Sequence, residues 1–338
     1  MELGHPLVSV IIPTFNRPHL VGRAVQSALK QTLGAIEVIV VMDGPDEATL
    51  QMLETIRDPR LQVRTLCQHG GASDARNAGV TEARSRWIAF LDDDDEWFPQ
   101  KLEVQLRTAQ GSHHLHPIIL CRVVARTQSE EFVWPQFTLR ADETLSEYLF
   151  CLKSLKRPLF GKGLIQTSMI LTTKELLQTL PFACNLARHM DTDWVLRACK
   201  QKGVSIEFVS EPKPLVIWHI ESSGGRISTH HDWRFSFSWG QTNRHLMTPR
   251  AFASFLMIEV SGHAAEAAEA GDWRAFWPLL REACRHGKPS ITDLLAYFII
   301  CLIPPSVRRQ TFNFFCRIFH LGRLKHTEWV DCQGREEK

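Results

Sequence analysis

One segment, residues 87–97, constrains the fold and the chemistry of this chain more than any other. Five apolar residues, Trp-Ile-Ala-Phe-Leu, run directly into four aspartates, a glutamate and a tryptophan. An apolar run of that length and aromatic content is typical of a strand that is buried on both faces. In open α/β sheets, ligands bind outside the carboxyl ends of the strands. The acidic run is therefore expected to begin where a buried strand leaves its sheet, at a ligand-binding edge.

The four aspartates, Asp92, Asp93, Asp94 and Asp95, bring like charges together. Two such charges about 5 Å apart repel by about 3 kcal/mol at an effective dielectric constant near 20. A divalent cation relieves that repulsion, and it is commonly held by one or two carboxylates while the phosphates of a substrate complete its shell. The segment therefore predicts a metal site. The alternative is a solvated acidic turn, which explains most acidic runs.

The residues before this segment alternate between strand-like and helix-like patterns. Four apolar runs separated by helical patterns predict a parallel, doubly wound α/β sheet with right-handed crossovers. Ser73 is expected to cap the helix that precedes the acidic strand. The expected strands are 7–12, 36–42, 61–66 and 87–91, and the expected helices are 18–30, a segment containing Leu50, Leu53 and Ile56, and 73–84.

Polar residues follow three of these strands at the same edge of the expected sheet. Thr14 and Asn16 follow the first strand, Asp43 follows the second, and the aspartate cluster follows the fourth. The chain has neither a G-x-G-x-x-G nor a G-x-x-x-x-G-K-S/T pattern, which disfavours a dinucleotide dehydrogenase and a P-loop hydrolase. A nucleotide could still be held by Asp43 at its base or ribose, and by the metal and Arg76 at its diphosphate.

The composition limits the class of protein. A chain of 338 residues, 44% hydrophobic and 22% charged, suits one large globular domain with an appendage. Its net charge of +2 gives no argument for nucleic acid as a partner. Nine cysteines without a C-x-x-C pair indicate reduced thiols in a cytoplasmic protein. The N-terminus does not resemble a signal peptide, and the longest apolar run, 294–303, is roughly half of what a bilayer crossing needs.

Four motifs fall in order at 8–17, 43–44, 75–79 and 90–95, and a fifth follows at 193–197. They read V-S-V-I-I-P-T-F-N-R, D-G, A-R-N-A-G, F-L-D-D-D-D and D-W-V-L-R. As an ordered set they resemble the motifs of family 2 glycosyltransferases, which have the GT-A fold. The resemblance covers about the first 220 residues. The sequence departs from the family pattern at Met42, where an aspartate is usual. This departure leaves open which nucleobase the donor carries.

The resemblance implies an inverting, metal-dependent transfer of a sugar from a nucleotide diphosphate donor. It implies that Thr14 and Asp43 line the nucleoside pocket, together with Pro13 and Asn16 from the first motif. Arg76 would lie near the donor phosphates. These five residues are the predicted donor-binding set outside the acidic segment.

Within the acidic segment the resemblance separates the aspartates. Asp92 and Asp94 occupy the outer places of the D-x-D motif. Asp92 would face the ribose or the metal, Asp94 would bind Mg²⁺ or Mn²⁺, and Asp93 is the variable middle position, also counted as substrate-binding. Asp95 is expected to shape the turn, and Glu96 with Trp97 is expected to begin the next helix.

The transfer also needs a base, because an acceptor hydroxyl attacks poorly unless a carboxylate takes its proton. A helical pattern at 187–202 contains Asp191 and Asp193, which a spacing of two directs to different sides of the helix. The resemblance assigns the base to Asp193, with Asp191 as a substrate-binding residue and the alternative base. Each could instead be an exposed carboxylate that pairs with Arg188 or Arg197.

Three later residues complete the predicted site. His219 is a candidate metal ligand, or an ordinary surface histidine. Trp218 could stack on a sugar, although a core position is the commoner fate of a tryptophan. Arg226 lies in a glycine-containing loop, 223–228, that is expected to close over the donor and meet its diphosphate. Strands are expected at 118–124, 164–172 and 215–220.

The expected domains are a GT-A catalytic domain at 1–228 and a helical C-terminal region at 229–338. The catalytic domain would divide into a nucleotide half, about 1–110, and an acceptor half, about 111–228. Apolar segments with basic flanks at 294–303 and 312–324 suit peripheral contact with an anionic membrane. The alternative is that these helices pack on the catalytic domain or form a homodimer.

The sequence therefore predicts a glycosyltransferase of polysaccharide or lipopolysaccharide assembly. Its partners would be a nucleotide-diphosphate sugar donor and a saccharide or lipid-linked saccharide acceptor, in the cytoplasm or at the inner face of the cytoplasmic membrane. Two alternatives remain: a metal-dependent nucleotidyltransferase, which would release pyrophosphate, and a non-catalytic scaffold that binds nucleotide sugars.

Overall fold

The structure, a computed structural model, describes residues 5–127, 131–153, 162–220, 232–267, 272–303 and 307. Strands and helices are mixed up to residue 219, and the described residues from 232 onward contain helices and helical turns. The strands are β1 (Val8–Thr14), β2 (Ile36–Met42), β3 (Leu61–Thr65), β4 (Trp87–Phe90), β5 (Glu96–Trp97), β6 (His116–Leu120), β7 (Val123–Arg126), β8 (Glu131–Trp134), β9 (Leu171–Thr173), β10 (Val204–Phe208) and β11 (Val216–His219).

Over the described residues, the larger sheet has seven strands in the order β10-β6-β9-β4-β1-β2-β3. All neighbours in it are parallel except β9, which runs antiparallel to both β4 and β6. The central strands β1, β2 and β4 are buried along their whole length, as their largely apolar sequences require. Two polar residues inside these strands are buried together, since the hydroxyl of Ser9 donates to Glu37. The predicted α/β class with a mostly parallel, doubly wound sheet is confirmed.

A smaller sheet stands at the end of the acidic segment. Within the described residues its strand order is β5-β11-β7-β8. Its first strand, Glu96–Trp97, pairs antiparallel with β11. The expectation that Glu96 and Trp97 begin a helix is therefore wrong: these two residues hold the acidic segment against a second sheet, and the helix begins only at Lys101.

The helices cover both faces of the large sheet and then form the C-terminal region. They are α1 (Pro18–Leu29), α2 (Glu47–Glu54), α3 (Ala72–Glu82), α4 (Lys101–Gly111), α5 (Leu145–Phe150), α6 (Lys174–Thr179), α7 (Met190–Ala198), α8 (Trp233–Thr242), α9 (Pro249–Ser254), α10 (Ser261–Glu266), α11 (Phe276–His286) and α12 (Ile291–Leu302). A π-helical turn, Phe255–Val260, joins α9 to α10, and single 3₁₀ turns lie at Thr167–Met169, Arg244–Leu246 and Trp273–Ala275.

Several local expectations fail. Ser73 is not the cap of α3: the helix begins one residue earlier, after Gly71, and the Ser73 hydroxyl is buried without a hydrogen-bond partner among the described residues. The strand expected at 118–124 is divided into β6 and β7, and only the end of the 164–172 segment is a strand. The helix containing Leu50 ends at Glu54, before Ile56.

The helical region beyond residue 232 packs against the α5 and α7 side of the larger domain. Phe255 of the π-helical turn, for example, contacts Phe150 of α5 with ring centroids 5.0 Å apart. In the part of the chain that the structure describes, no helix has the length and apolarity that a bilayer crossing requires. The apolar segment predicted at 312–324 lies outside the described residues.

Candidate active site

Three strand ends bring the predicted donor-binding residues to one edge of the large sheet. Residue 14, at the end of β1, pairs with residue 42, at the end of β2, and Asp43 follows directly. The amide of Leu91, which immediately precedes the aspartates, donates to the carbonyl of Ile11 in β1. Thr14, Asp43 and Asp92 therefore emerge side by side, because β1 lies between β2 and β4 in the sheet.

Asp43 organises a loop beside the first motif. Its two carboxylate oxygens accept hydrogen bonds from the amides of Gly70 and Gly71, each at 2.8 Å, and Nδ1 of His69 lies 2.8 Å away. Gly71 has a φ of 99°, a backbone conformation that favours glycine. The imidazole of His69 stacks on Phe15 with ring centroids 4.1 Å apart. A partly exposed aromatic surface thus adjoins Asp43, and nothing in the sequence pattern had singled out His69.

Arg76 projects from α3 and forms an ion pair with Asp92. Its Nη2 donates to Oδ1 of Asp92 at 2.6 Å and to the hydroxyl of Thr167 at 3.1 Å. Only 5% of Arg76 is exposed, yet its Nε and Nη1 have no hydrogen-bond partner among the described residues. The guanidinium lies over the ring of Phe182, 5.7 Å from its centroid, which holds it in place. Buried donors of this kind are rarely left unused in native proteins.

Asp93 points into the protein. It accepts hydrogen bonds from the hydroxyl of Thr14 at 2.8 Å and from Nη1 of Arg17 at 2.9 Å. Burial, aided by the charge of Asp94, raises the pKa of Asp93 to about 6 although Arg17 acts in the opposite direction. Arg17 was not among the predicted site residues, but it ends the first motif and its charge is opposite to that of the cluster.

Asp94 and Asp95 have different surroundings. Oδ2 of Asp94 lies 3.7 Å from Nη1 of Arg17, too far for a direct hydrogen bond. Oδ2 of Asp95 accepts hydrogen bonds from Gln166 and Ser168, both at 2.7 Å, and its amide closes a turn onto the carbonyl of Asp92. Asp95 therefore shapes the turn, while two guanidinium groups compensate much of the charge on the other three aspartates.

The fit of a metal to this cluster rests on few protein ligands. Over the described residues, no group of three or more His, Cys, Asp or Glu side chains is arranged to hold a metal ion. Mg²⁺ does not need such a group, because it is commonly bound by one or two carboxylates together with substrate phosphates. Asp94, with Asp92 two residues before it, provides carboxylate ligands of that kind, so the residues present fit a metal that binds together with a nucleotide diphosphate.

His219 and Trp218 lie at the end of β11. Nε2 of His219 is 2.7 Å from Oε1 of Glu96, and this contact, opposed by burial, lowers the pKa of Glu96. Trp218 is partly buried, with its ring 6.0 Å from that of Trp134. His219 is thus engaged by a carboxylate next to the D-x-D segment rather than by Asp94, and its role as a metal ligand stays a prediction. Arg226 lies outside the described residues.

The two aspartates of α7 differ sharply in their contacts. Asp193 is buried; Nε of Arg197 donates to one of its oxygens at 2.7 Å and the indole of Trp239 donates to the other at 3.1 Å. Asp191 accepts one hydrogen bond, from the adjacent amide of Thr192. Burial, together with the nearby charge of Asp92, raises the pKa of Asp191 to about 6, although Arg76 lowers it. Asp191 therefore lies within the electrostatic reach of the Arg76–Asp92 pair.

A partly buried polar cluster supports α7 from the C-terminal region. Nζ of Lys162 forms a 2.5 Å ion pair with Glu259, which belongs to the π-helical turn. Nδ1 of His189, the residue before α7, is 3.7 Å from the other carboxylate oxygen, and the hydroxyl of Ser236 lies between His189 and His263. His189 also stacks on Trp239, the partner of Asp193. We call these five residues, Lys162, His189, Ser236, Glu259 and His263, the α7 support cluster.

Comparison with known proteins gives the same family as the motifs. Residues 9–169 match the family described as "Glycosyl transferase family 2". The chain is 38% identical over 100 residues to the Escherichia coli glucosyltransferase WfgD, covering 30% of this chain and 40% of WfgD. It is 37% identical over 107 residues to the succinoglycan biosynthesis protein ExoO of Rhizobium meliloti, 32% of this chain and 31% of ExoO. The chain thus spans less than half the length of these relatives, and the predicted family resemblance is confirmed.

Longer matches are more distant. The amylovoran biosynthesis glycosyltransferase AmsB of Erwinia amylovora is 26% identical over 275 residues, which cover 77% of this chain and 87% of AmsB. Residues 1–349 of Staphylococcus aureus TarS, solved with UDP-GlcNAc, superpose with a TM-score of 0.54 at 17% identity, covering 90% and 92%. A mannosyltransferase of Pyrobaculum calidifontis, solved with GDP-Man and Mn²⁺, gives 0.53 at 16% identity, covering 94% and 87%. These structures confirm the expected GT-A fold.

Proposed function

Because residues 9–169 match glycosyl transferase family 2, we propose that this protein transfers a sugar from a nucleotide diphosphate donor to an acceptor hydroxyl. The observation that carries the proposal is Arg76, a buried arginine with two hydrogen-bond donors unpaired among the described residues, beside Asp92. A guanidinium binds phosphate oxygens through parallel hydrogen bonds, so a donor diphosphate would satisfy both groups.

The nucleoside of the donor would lie against the surface around Asp43. The stacked rings of Phe15 and His69 offer a flat face for a base, and the Asp43 carboxylate holds the loop that carries His69. Thr14, Pro13 and Asn16 stay in the proposed donor-binding set. Thr14 acts through its hydrogen bond to Asp93, which keeps that carboxylate turned away from the donor.

We assign the metal, Mg²⁺ or Mn²⁺, to Asp94 and Asp92, with oxygens of the diphosphate completing its shell. When bound, it supplies positive charge that stabilises the departing nucleoside diphosphate. Arg76 adds a second, permanent charge at the same diphosphate. His219 would have to leave Glu96 to join the metal, and Arg226 is kept as a proposed diphosphate contact.

We assign the base to Asp191 rather than to Asp193. Both oxygens of Asp193 already accept hydrogen bonds, from Arg197 and Trp239, which suits a residue that fixes α7 in place. Asp191 combines partial burial, a pKa of about 6 and proximity to the Arg76–Asp92 pair. A base whose pKa lies slightly below the working pH is ionised and still a strong proton acceptor.

The proposed reaction is a single displacement that inverts the sugar. The Asp191 carboxylate takes the proton of the acceptor hydroxyl, and the hydroxyl oxygen forms a bond to the anomeric carbon. The bond between that carbon and the diphosphate oxygen breaks, and its electron pair leaves with the nucleoside diphosphate. Arg76 stabilises the charge that develops on this leaving group.

For the acceptor, we propose a saccharide or lipid-linked saccharide of bacterial cell-surface polysaccharide assembly. The names of the succinoglycan, amylovoran and diphosphoundecaprenol-acting relatives support this class. Trp218 stays a candidate for stacking on the acceptor or donor sugar. A cytoplasmic location is part of the proposal, and it is supported by the free thiols of the seven described cysteines.

Calorimetric titration with UDP and GDP in the presence of Mn²⁺ tests the donor site. Arg76→Met, which keeps the length of the side chain, is expected to weaken binding about tenfold to a hundredfold because charged hydrogen bonds are lost. Arg64→Met serves as the control, since Arg64 is exposed, forms an ion pair with Glu82 of α3 and is not among the proposed donor-binding residues. Equal affinities of the Arg76 variant and the wild type would remove the basis of the proposal.

A further inference from the structure

The helix α12 presents an apolar stripe to solvent. The exposed fractions of Ile291, Leu295, Phe298, Ile299 and Leu302 lie between 40 and 78%. Their spacing of 4, 3, 1 and 3 residues places them on one face of a helix. The opposite face packs against the rest of the protein. There Asp293 accepts a hydrogen bond from the hydroxyl of Ser254, and Ala296 and Tyr297 are buried.

The stripe continues onto the neighbouring helix α11. The ring of Phe276 lies 6.1 Å from that of Phe298 and 5.0 Å from that of Trp277. Trp277 is 72% exposed, and Trp273, in the 3₁₀ turn before α11, is 54% exposed. Large apolar patches of this kind on a protein surface mark interaction sites, and tryptophan is enriched at the boundary between lipid and water.

Positive charges accompany the stripe. Residues 294–303 contain no charged side chain, and Asp293 is buried in the capping box that Ser290 begins. Glu282 is largely buried and lies near His286 of its own helix. Within residues 272–303, the exposed charged side chains are therefore basic, and they are Arg274, Arg281, Arg285 and Lys288.

We infer that this α11–α12 face docks on an anionic lipid bilayer, with the apolar stripe in the headgroup boundary and the basic residues among the lipid phosphates. A second copy of the chain is a poorer occupant, because a twofold interface would bring the four basic residues against their own copies. An anionic lipid surface complements both the apolar and the basic part of the face. Docking on a membrane would bring the protein to the lipid-linked acceptor of the proposed function, and to that extent the inference rests on that proposal. The docking itself is independent of catalysis.

Flotation of the full chain with vesicles, without donor or acceptor, tests the inference. The vesicles contain either phosphatidylcholine alone or phosphatidylcholine mixed with phosphatidylglycerol. The wild type is expected to float with the anionic vesicles, and to bind the neutral ones at least about tenfold more weakly, since each basic residue near the surface contributes separately. Added salt should weaken the anionic binding.

Two variants separate the apolar from the basic contribution. Leu295→Gln with Ile299→Gln, both exposed and replaced by a good helix former, should abolish flotation with either vesicle. The double variant Arg281→Gln, Arg285→Gln should lower the ratio of the affinities for anionic and neutral vesicles about tenfold. Leu115→Gln, at a residue just before β6 that is 60% exposed, should bind as the wild type does.

Undiminished flotation of the Leu295–Ile299 variant, or an equal affinity of the wild type for both vesicles, would overturn the inference. Sedimentation of the wild type as a dimer that the same variant dissociates would assign the face to a second copy instead. A membrane-bound protein that turns over no nucleotide sugar would leave the docking intact and reject only the proposed function.

Discussion

At the scale of single residues, the site depends on two arginines that divide the acidic segment. Arg76 pairs with Asp92, and Arg17 lies 2.9 Å from Asp93 and 3.7 Å from Asp94. The four adjacent aspartates therefore have different surroundings: Asp92 pairs with Arg76, Asp93 is buried against Thr14 and Arg17, Asp94 lies near Arg17, and Asp95 closes a turn. The number of aspartates alone predicts a bound cation. Their contacts in the structure show that Arg17 and Arg76 already supply part of the compensating positive charge.

Substitution of the two α7 aspartates distinguishes the base from the residue that holds the helix. Asp191→Asn is expected to reduce turnover by at least about a hundredfold, because the proton acceptor is lost. The same change should raise the melting temperature, since a carboxylate whose pKa is raised by burial destabilises the fold at neutral pH. Turnover and thermal unfolding measured on one preparation check both effects.

Asp193→Asn is the matched comparison. It breaks the ion pair with Arg197 and weakens the hydrogen bond from Trp239, so it should lower the melting temperature. Its remaining folded fraction should keep most of the turnover. Loss of turnover in Asp193→Asn at unchanged stability, with an active Asp191→Asn, would return the base to Asp193.

The pH dependence of turnover reports the same carboxyl group. Asp191 must be ionised to accept a proton, and its pKa is raised to about 6 by burial and by Asp92, while Arg76 opposes the shift. Turnover should therefore be constant above neutral pH and should fall as the pH drops through 6, approaching tenfold per unit. A profile that stays flat down to pH 4.5 would be inconsistent with Asp191 as the base.

At the scale of elements, long buried segments were predictable and short ones were not. The strand Ile36–Met42 was expected with these bounds, because a run that is apolar except for Glu37 ends at a turn sequence. Glu96–Trp97 and Leu171–Thr173 are too short to leave a periodic pattern, and both owe their conformation to strands far away in sequence. The different surroundings of Asp191 and Asp193 were beyond sequence reasoning for the same reason: the hydrogen bond from Trp239 to Asp193 comes from α8, far away in sequence.

The α7 support cluster should contribute measurably to stability. Glu259→Gln removes the charged hydrogen bond to the partly buried Lys162, so we expect the free energy of unfolding to fall by about 2 kcal/mol. Glu282→Gln is the matched control: its side chain is about equally buried, but its 3.9 Å contact with His286 is too long for a hydrogen bond and should matter by less than about 1 kcal/mol. Urea denaturation compares the two, and equal losses would mean that the cluster does not carry this stability.

The two histidines of the cluster give stability a predictable dependence on pH. Burial lowers the pKa of His189 to about 4 and that of His263 to about 3, although Glu259 opposes both shifts. The unfolded chain therefore binds more protons, and stability is lost as the pH falls from 6.5 toward these values. His263→Gln should reduce that loss by about 2 kcal/mol between pH 6.5 and 5. If the free energy of unfolding fell equally steeply with pH in the variant and the wild type, His263 would not be a source of the loss.

At the scale of the whole molecule, the parallel sheet and the helical region meet at α7. The sheet edge gathers the donor-binding residues, and the C-terminal helices supply Trp239, Ser236, Glu259 and His263 around the helix that carries Asp191. Four ordered motifs were sufficient to predict the family, and the strand pattern was sufficient to predict that Thr14, Asp43 and Asp92 meet at one sheet edge. They contained no information about the helical region, whose sequence matches none of them and whose part in the site depends on tertiary contacts.

Ligand binding should stabilise the whole molecule in a metal-dependent way. A nucleotide sugar at 100 times its dissociation constant is expected to add about 2.7 kcal/mol to the free energy of unfolding. The gain should require Mg²⁺ or Mn²⁺ and should disappear with a chelator or in Asp94→Asn. Full stabilisation in the presence of a chelator would argue that Arg76 and the backbone alone hold the donor.

Phosphorus NMR of the complete reaction tests the central claim most directly. The protein is incubated with a panel of nucleotide sugars, Mn²⁺ and lipid-linked or free saccharide acceptors, and the phosphorus products are identified. We expect a nucleoside diphosphate to appear with the wild type and with Arg64→Met, and its rate of release to fall at least about a hundredfold in Asp191→Asn. Release of pyrophosphate, or an undiminished rate in the Asp191 variant, would contradict the account.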